Sequence, residues 1–165
     1  MARPIHHRAF SLIEVMIATL LVGMAIAALA VANGSFTIAN GAGADLSTAE
    51  FLVEQIRELT AGLPVADEDV TTWTTLGPEA GEPNLVDYDD VDDFNGSTFS
   101  PPINAGKAVL TDFAAFSQRV TVQFLDPTNF NVALTSGSSD FVRVTVRVSM
   151  NARQVSSASW VRAKY

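Results

Sequence analysis

The sequence predicts an α+β fold in which a long N-terminal helix packs on a C-terminal antiparallel β-sheet. Three patterns carry that expectation. Residues 10–32 are an apolar run with one formal charge, Glu14, and no proline. Residues 44–62 repeat apolar side chains at helical spacing. Within residues 107–165, apolar and polar side chains alternate as they do on half-buried strands.

The run from Phe10 to Ala32 holds about 23 residues, or on the order of 34 Å of helix, enough to cross a hydrocarbon core of roughly 30 Å. A basic leader precedes it at residues 1–9, with Arg3 and Arg8 on one side of the span. The positive-inside bias then keeps the leader cytoplasmic and exports the rest. Gly23, Ala18, Ala25 and Ala28 are small enough for close helix approach, and equally ordinary in an Ala-rich membrane helix. A carboxylate inside such a span is costly and reads as functional, yet no Lys or Arg within the span is available to pair with Glu14. Two plainer readings stand beside this one. Glu14 snorkels from a simple membrane anchor, or the segment is a secretory signal cut at Ala28-Leu29-Ala30 or Ala30-Val31-Ala32.

Residues 33–63 combine a glycine joint with the amphipathic half of the helix. Gly34, Gly41 and Gly43 each cost about 1 kcal/mol relative to alanine in a helix interior. A frayed joint is therefore expected at 33–43. Beyond it, Leu46, Ala49, Leu52, Val53, Ile56 and Leu59 fall near one face, and Gly62 and Pro64 supply the stop.

Residues 64–106 read as an acidic loop punctuated by prolines. No base lies between Arg57 and Lys107, yet eleven acids occur there. Asp87, Asp89, Asp90, Asp92, Asp93 and Asn95 offer oxygen ligands that suit calcium. An EF-hand register fails, because Val91 falls at its first ligand position and Pro102 at its last. A solvated turn with capping aspartates is the leading expectation for this stretch, with calcium binding and recognition of a partner by charge as the others.

Residues 107–165 read as sheet. Arg119–Phe124 and Val142–Val148 alternate, Asn129–Thr135 is a short candidate between them, and Asn151–Arg153 turns into a last strand from Gln154 to Ala163. Short turns between successive strands imply an antiparallel meander whose valine face covers the helix. Arg143 and Arg147 then face water or the acidic loop, and Trp160 joins the core.

The 165 residues suit one domain plus an anchor. The net charge is −8, and without Arg3 and Arg8 only 8 basic side chains face 18 acidic ones, which argues against nucleic-acid contact. Cysteine is absent, and both histidines, His6 and His7, lie in the leader. A chain beginning at Phe10 therefore lacks His triads, Cys nucleophiles and ordinary zinc ligands, and no enzyme or cofactor is expected beyond a possible calcium ion.

The string Phe10-Ser11-Leu12-Ile13-Glu14-Val15 after a basic leader resembles the N-terminus of type IV prepilins and type II secretion pseudopilins. The resemblance implies a pilin-like fold and a structural role. It implies cleavage between Ala9 and Phe10 by a prepilin peptidase, N-methylation of Phe10, and a role for Glu14 in assembly opposite the amino terminus of a neighbouring subunit. The implied partners are the peptidase/N-methyltransferase, other pilin or pseudopilin subunits and the bacterial inner membrane. The chain departs from the usual pattern in having Ala9 for glycine before the cut, and Val31 where many pilins have proline. The string Tyr88–Gly96 is similar to one in some minor pilins of the mannose-sensitive pilus type. A second hypothesis is an exported or membrane-anchored binding module with a calcium-binding acidic loop.

Overall fold

The computed structural model describes residues 10–67, 75–134 and 139–164. The leader, with Ala9, lies outside the described residues. The chain divides into two units at Gly43/Ala44. The expected α+β arrangement is present, a long helix followed by an antiparallel sheet.

Helix α1 runs Leu12–Ala61. It passes through the expected glycine joint without a break, a difference with a physical reason. Three glycines lower helix propensity, but the alanines and apolar residues among them keep the i→i+4 ladder, and no proline removes a donor. The stop falls where the sequence puts it, since Ala61 is the last helical residue before Gly62 and Pro64. Arg162 secures this end, its guanidinium donating to the carbonyls of Thr60 and Leu63. Thr60 belongs to the last turn, whose carbonyls have no helical donors of their own, and Leu63 lies just past it.

In the second unit α1 buries Ala49, Leu52, Val53, Ile56 and Leu59. Leu46, expected on the same face, stays exposed. The buried set meets Val120, Val122 and Phe124 of β2 (Phe116–Asp126) and Val142, Val144, Val146 and Val148 of β4 (Phe141–Met150) in one core cluster. Each such aliphatic side chain contributes roughly 1.5–3 kcal/mol on full burial. Trp160, on β5 (Arg153–Ala163), packs at the edge of this core, with the Arg57 guanidinium 5.7 Å from its ring centroid.

The sheet is not the simple meander expected. Its order is β1-β2-β4-β5, where β1 is Thr98–Phe99, and among the described residues β3 (Asn129–Ala133) pairs with the far end of β2 alone. Strand β2 aligns with β4 from Phe116↔Met150 to Phe124↔Val142. Length decides the outcome. Nine paired residues with a continuous valine face outweigh a five-residue segment exposed at every position. Arg143 reaches β3 and donates to the Phe130 carbonyl. The β4–β5 hairpin turns at Asn151 (φ 49°) and Ala152 (φ 66°), the positive dihedrals of a primed turn.

The acidic stretch is also more ordered than a loop. It supplies a 3₁₀ turn, Asp92–Phe94, and the edge strand β1. Phe94 is fully buried and stacks edge-on with Tyr88, the ring centroids 5.3 Å apart. That anchor draws the neighbouring aspartates inward, which corrects the expectation of a solvated turn.

Candidate functional site

The first candidate region is the start of α1. Ser11 precedes the helix, and its hydroxyl oxygen accepts from the Glu14 N–H at 3.3 Å while its carbonyl accepts from Glu14 and Val15. Ser11-x-x-Glu14 is thus a capping-box spacing, and Glu14 sits in the first turn, where the helix dipole favours a negative charge. The spacing was visible in the sequence but was masked by the apolar character of the segment. Downstream, the Thr19 hydroxyl donates to the carbonyls of Val15 and Met16, so this polar group in the span is satisfied within the helix. Leu12, Ile13, Met16, Ile17, Leu20 and Leu21 are all exposed, and Phe10 remains 78% exposed. A helix that is apolar on every side needs a lipid or protein environment to cover it. By length and composition α1 can cross a membrane.

The second region is the acidic stretch, where the structure sorts the six candidate ligands. Asp87 is held locally, its carboxylate accepting from the backbone and side chain of Asn84. Asn95 is turned to the sheet, its Oδ1 accepting from the Val122 N–H at 2.9 Å. Asp92 accepts from the Gly77 N–H. Asp89, Asp90 and Asp93 converge instead with acids outside the original set. Carboxylate oxygens of Glu79, Asp90 and Asp93 lie within 4.8 Å of one another, as do those of Glu82, Asp89 and Asp93, and those of Asp67, Asp89 and Asp90. Glu79, Glu82 and Asp67 lie too far away along the chain for spacing to reveal them. Only the fold of the intervening turns joins them.

Two aspartates form the frame. Asp90 Oδ1 accepts from the N–H groups of Asp92 (2.8 Å) and Asp93 (3.2 Å). Asp93 Oδ2 accepts in return from Asp89 (2.9 Å) and Asp90 (3.1 Å). Both side chains are fully buried. The nearest base in sequence, Lys107, donates to the carbonyls of Val86 and Tyr88. Burial, reinforced by a hydrogen bond with Asp92 and by the charges of Asp92 and Asp93, pushes the Asp90 carboxyl up to about 8. Burial and then Asp93 push Glu82 up to about 8. Burial and the charges of Asp92 and Asp93 also raise Glu79.

These shifts have a definite sign. Between about pH 4 and about pH 8 the native state holds protons that the unfolded chain has released, so stability falls as pH rises through that window. In metal-free buffer the melting temperature is expected to fall from pH 4 to pH 8, and to fall less in Asp90→Asn. An identical pH profile for the two proteins would mean that the cluster carries no such strain.

Comparison with known proteins bears on the first region. No curated protein and no solved structure matches the chain. Residues 6–30 match the family model of the prokaryotic N-terminal methylation motif, a segment that includes Phe10, Glu14 and most of the apolar span. With that motif at the head of a long apolar helix, the chain is supported as type IV pilin- or pseudopilin-like.

Proposed function

We propose that the chain is a minor pilin- or pseudopilin-like structural subunit that assembles into a type IV pilus or a type II secretion pseudopilus. The match of residues 6–30 to the methylation motif carries this reading. A prepilin peptidase cuts between Ala9 and Phe10, and Phe10 is N-methylated. The apolar helix holds the subunit in the inner membrane, leader inward and sheet exported, until it packs among other subunits. The resemblance of Tyr88–Gly96 to a string in some minor pilins of the mannose-sensitive type supports the minor-pilin part of this reading.

The physical chemistry suits this role. Cleavage before Phe10 exposes an α-amine with a reference pKa of about 7.7–8.0, mostly cationic at neutral pH. Glu14 lies one turn further on, in a segment with no Lys or Arg from residue 9 to residue 56. In a filament core the amine of a neighbouring subunit is the nearest compensating charge, and an uncompensated carboxylate there is strongly disfavoured. Ser11 helps because it begins the helix at Leu12, which holds Glu14 in the first turn.

The test is the N-terminal residue and intact mass of the protein recovered from cell envelopes. A chain beginning at methylated Phe10 is expected. One beginning near Asn33 would make it an exported soluble domain, and an uncut Met1 would leave a plain anchor.

A further inference from the structure

We propose that Asp90 and Asp93, with Glu79, Glu82 and Asp89, form a binding site for a divalent cation of the calcium class. A cluster of acids alone would not carry this. The decisive observation is the state of the individual oxygens. Asp90 Oδ2 and Asp93 Oδ1 are buried with no N–H or hydroxyl donor, on side chains that are themselves fully buried. Glu79 Oε2 and Glu82 Oε2 are likewise buried without an N–H or hydroxyl donor, in the two trios that share Asp93. Leaving one such oxygen unsatisfied costs about 1–3 kcal/mol, more when charged, and four such oxygens belong to the residues of these two trios.

The frame explains how they are aimed. Each aspartate has one oxygen fixed by two backbone N–H groups, so its rotamer is set and its second oxygen is left without a donor. A protein donor would normally fill that space, but no base occurs between Arg57 and Lys107. A cation supplies what the chain does not. The donor set is all carboxylate oxygen, which selects a hard ion over zinc or copper. Carboxylate trios within 4.8 Å that share Asp93 suit calcium, which takes 6–8 oxygens in flexible geometry, better than magnesium, which keeps most of its water. The site also has a structural consequence. The Val91 N–H donates to the Pro64 carbonyl just past α1, and Gly96 and Ser97 bond to Val120 of β2. A bound ion would therefore stiffen the segment that joins the helix end to the sheet.

The inference stands apart from the assembly role, because none of these residues lies within 6–30. Correct processing at Phe10 with no calcium response would overturn this proposal alone. The experiment uses the full chain in detergent, stripped with EDTA, and follows thermal unfolding and heats of titration with CaCl₂ and with MgCl₂. Saturating calcium is expected to raise the melting temperature by about 5–10 °C at a hundredfold excess over Kd, with magnesium at least tenfold weaker. Asp90→Asn keeps the backbone bonds to Oδ1 and places an amide donor among the other carboxylates. It should melt no lower than the stripped wild type and lose the calcium response. Asp89→Asn, at the exposed rim, provides a second variant that does not alter the buried frame, and should weaken calcium at least tenfold. No heat and no shift with calcium would overturn the site, leaving a cluster that shares protons only. An equal response to magnesium, or an unchanged response in both variants, would overturn it as well.

Discussion

Gln118→Leu is expected to lower the stability of the sheet unit by about 3 kcal/mol or more. The Gln118 side chain is fully buried at the meeting point of three elements. Its Oε1 accepts from the Ile103 N–H at 2.8 Å, and its Nε2 donates to the carbonyls of Leu52 on α1 (2.8 Å) and Ile103 (3.1 Å). Leucine fills nearly the same volume but satisfies none of these groups. Ile103, itself only 1% exposed, would then bury both a donor and an acceptor without partners, at about 1–3 kcal/mol each. The Leu52 carbonyl suffers less, since it stays in the helix ladder. Gln118→Glu is expected to be worse, because a carboxylate would face two carbonyl oxygens. Denaturant midpoints at constant m-value provide the measurement. A loss below about 1 kcal/mol would mean that water or a backbone shift replaces the amide.

Glu14→Ala is expected to reduce incorporation into filaments by about a hundredfold or more while leaving the sheet unit's unfolding midpoint unchanged. Breaking a buried ion pair by removing one partner costs about 3–5 kcal/mol, and each 1.4 kcal/mol is a tenfold change in the equilibrium. The sheet unit is spared because Glu14 lies in the other unit, before Gly43. The readout is the fraction of subunit in sheared filaments against that left in membranes. Ser11→Ala separates the two roles of this turn. Loss of the cap alone costs about 1 kcal/mol and should reduce incorporation only about fivefold. If both variants fall equally, helix initiation is what assembly requires and charge pairing is not. Normal incorporation of Glu14→Ala would remove the assembly role altogether.

The legible parts of the chain are those whose signal is local. The helix stop at Gly62 and Pro64 was readable, as was the buried face from Ala49 to Leu59, because capping and 3.6-residue periodicity act over neighbouring residues. The alternation in β2 and β4 was readable for the same reason. Strand order was not, since sequence shows that β3 exists but not that β2 and β4 out-compete it for each other. Gln118 looks like a polar interruption at the start of a strand, and its role appears only once Leu52 and Ile103 are brought beside it. The acidic stretch misled most. A run of aspartates reads as solvated by composition, but Phe94 and Tyr88 among them supply the apolar anchor that pulls Asp90 and Asp93 inside. Asn95 and Asp87, attractive by spacing, are used by the backbone and by Asn84 instead.

The Arg162 cap bears on the order in which the chain becomes whole. Residues 60 and 162 are 102 positions apart, so the Thr60 carbonyl, held locally by the Leu63 N–H, gains its guanidinium donor only when β5 has arrived. Closing so long a loop comes late in folding, because its entropy must be met before the contact rewards it. In a chain made from its N-terminus, the amphipathic half of the helix is synthesised first and waits for β5 with its apolar face uncovered. The guanidinium of Arg162 acts as the latch that ends that exposure.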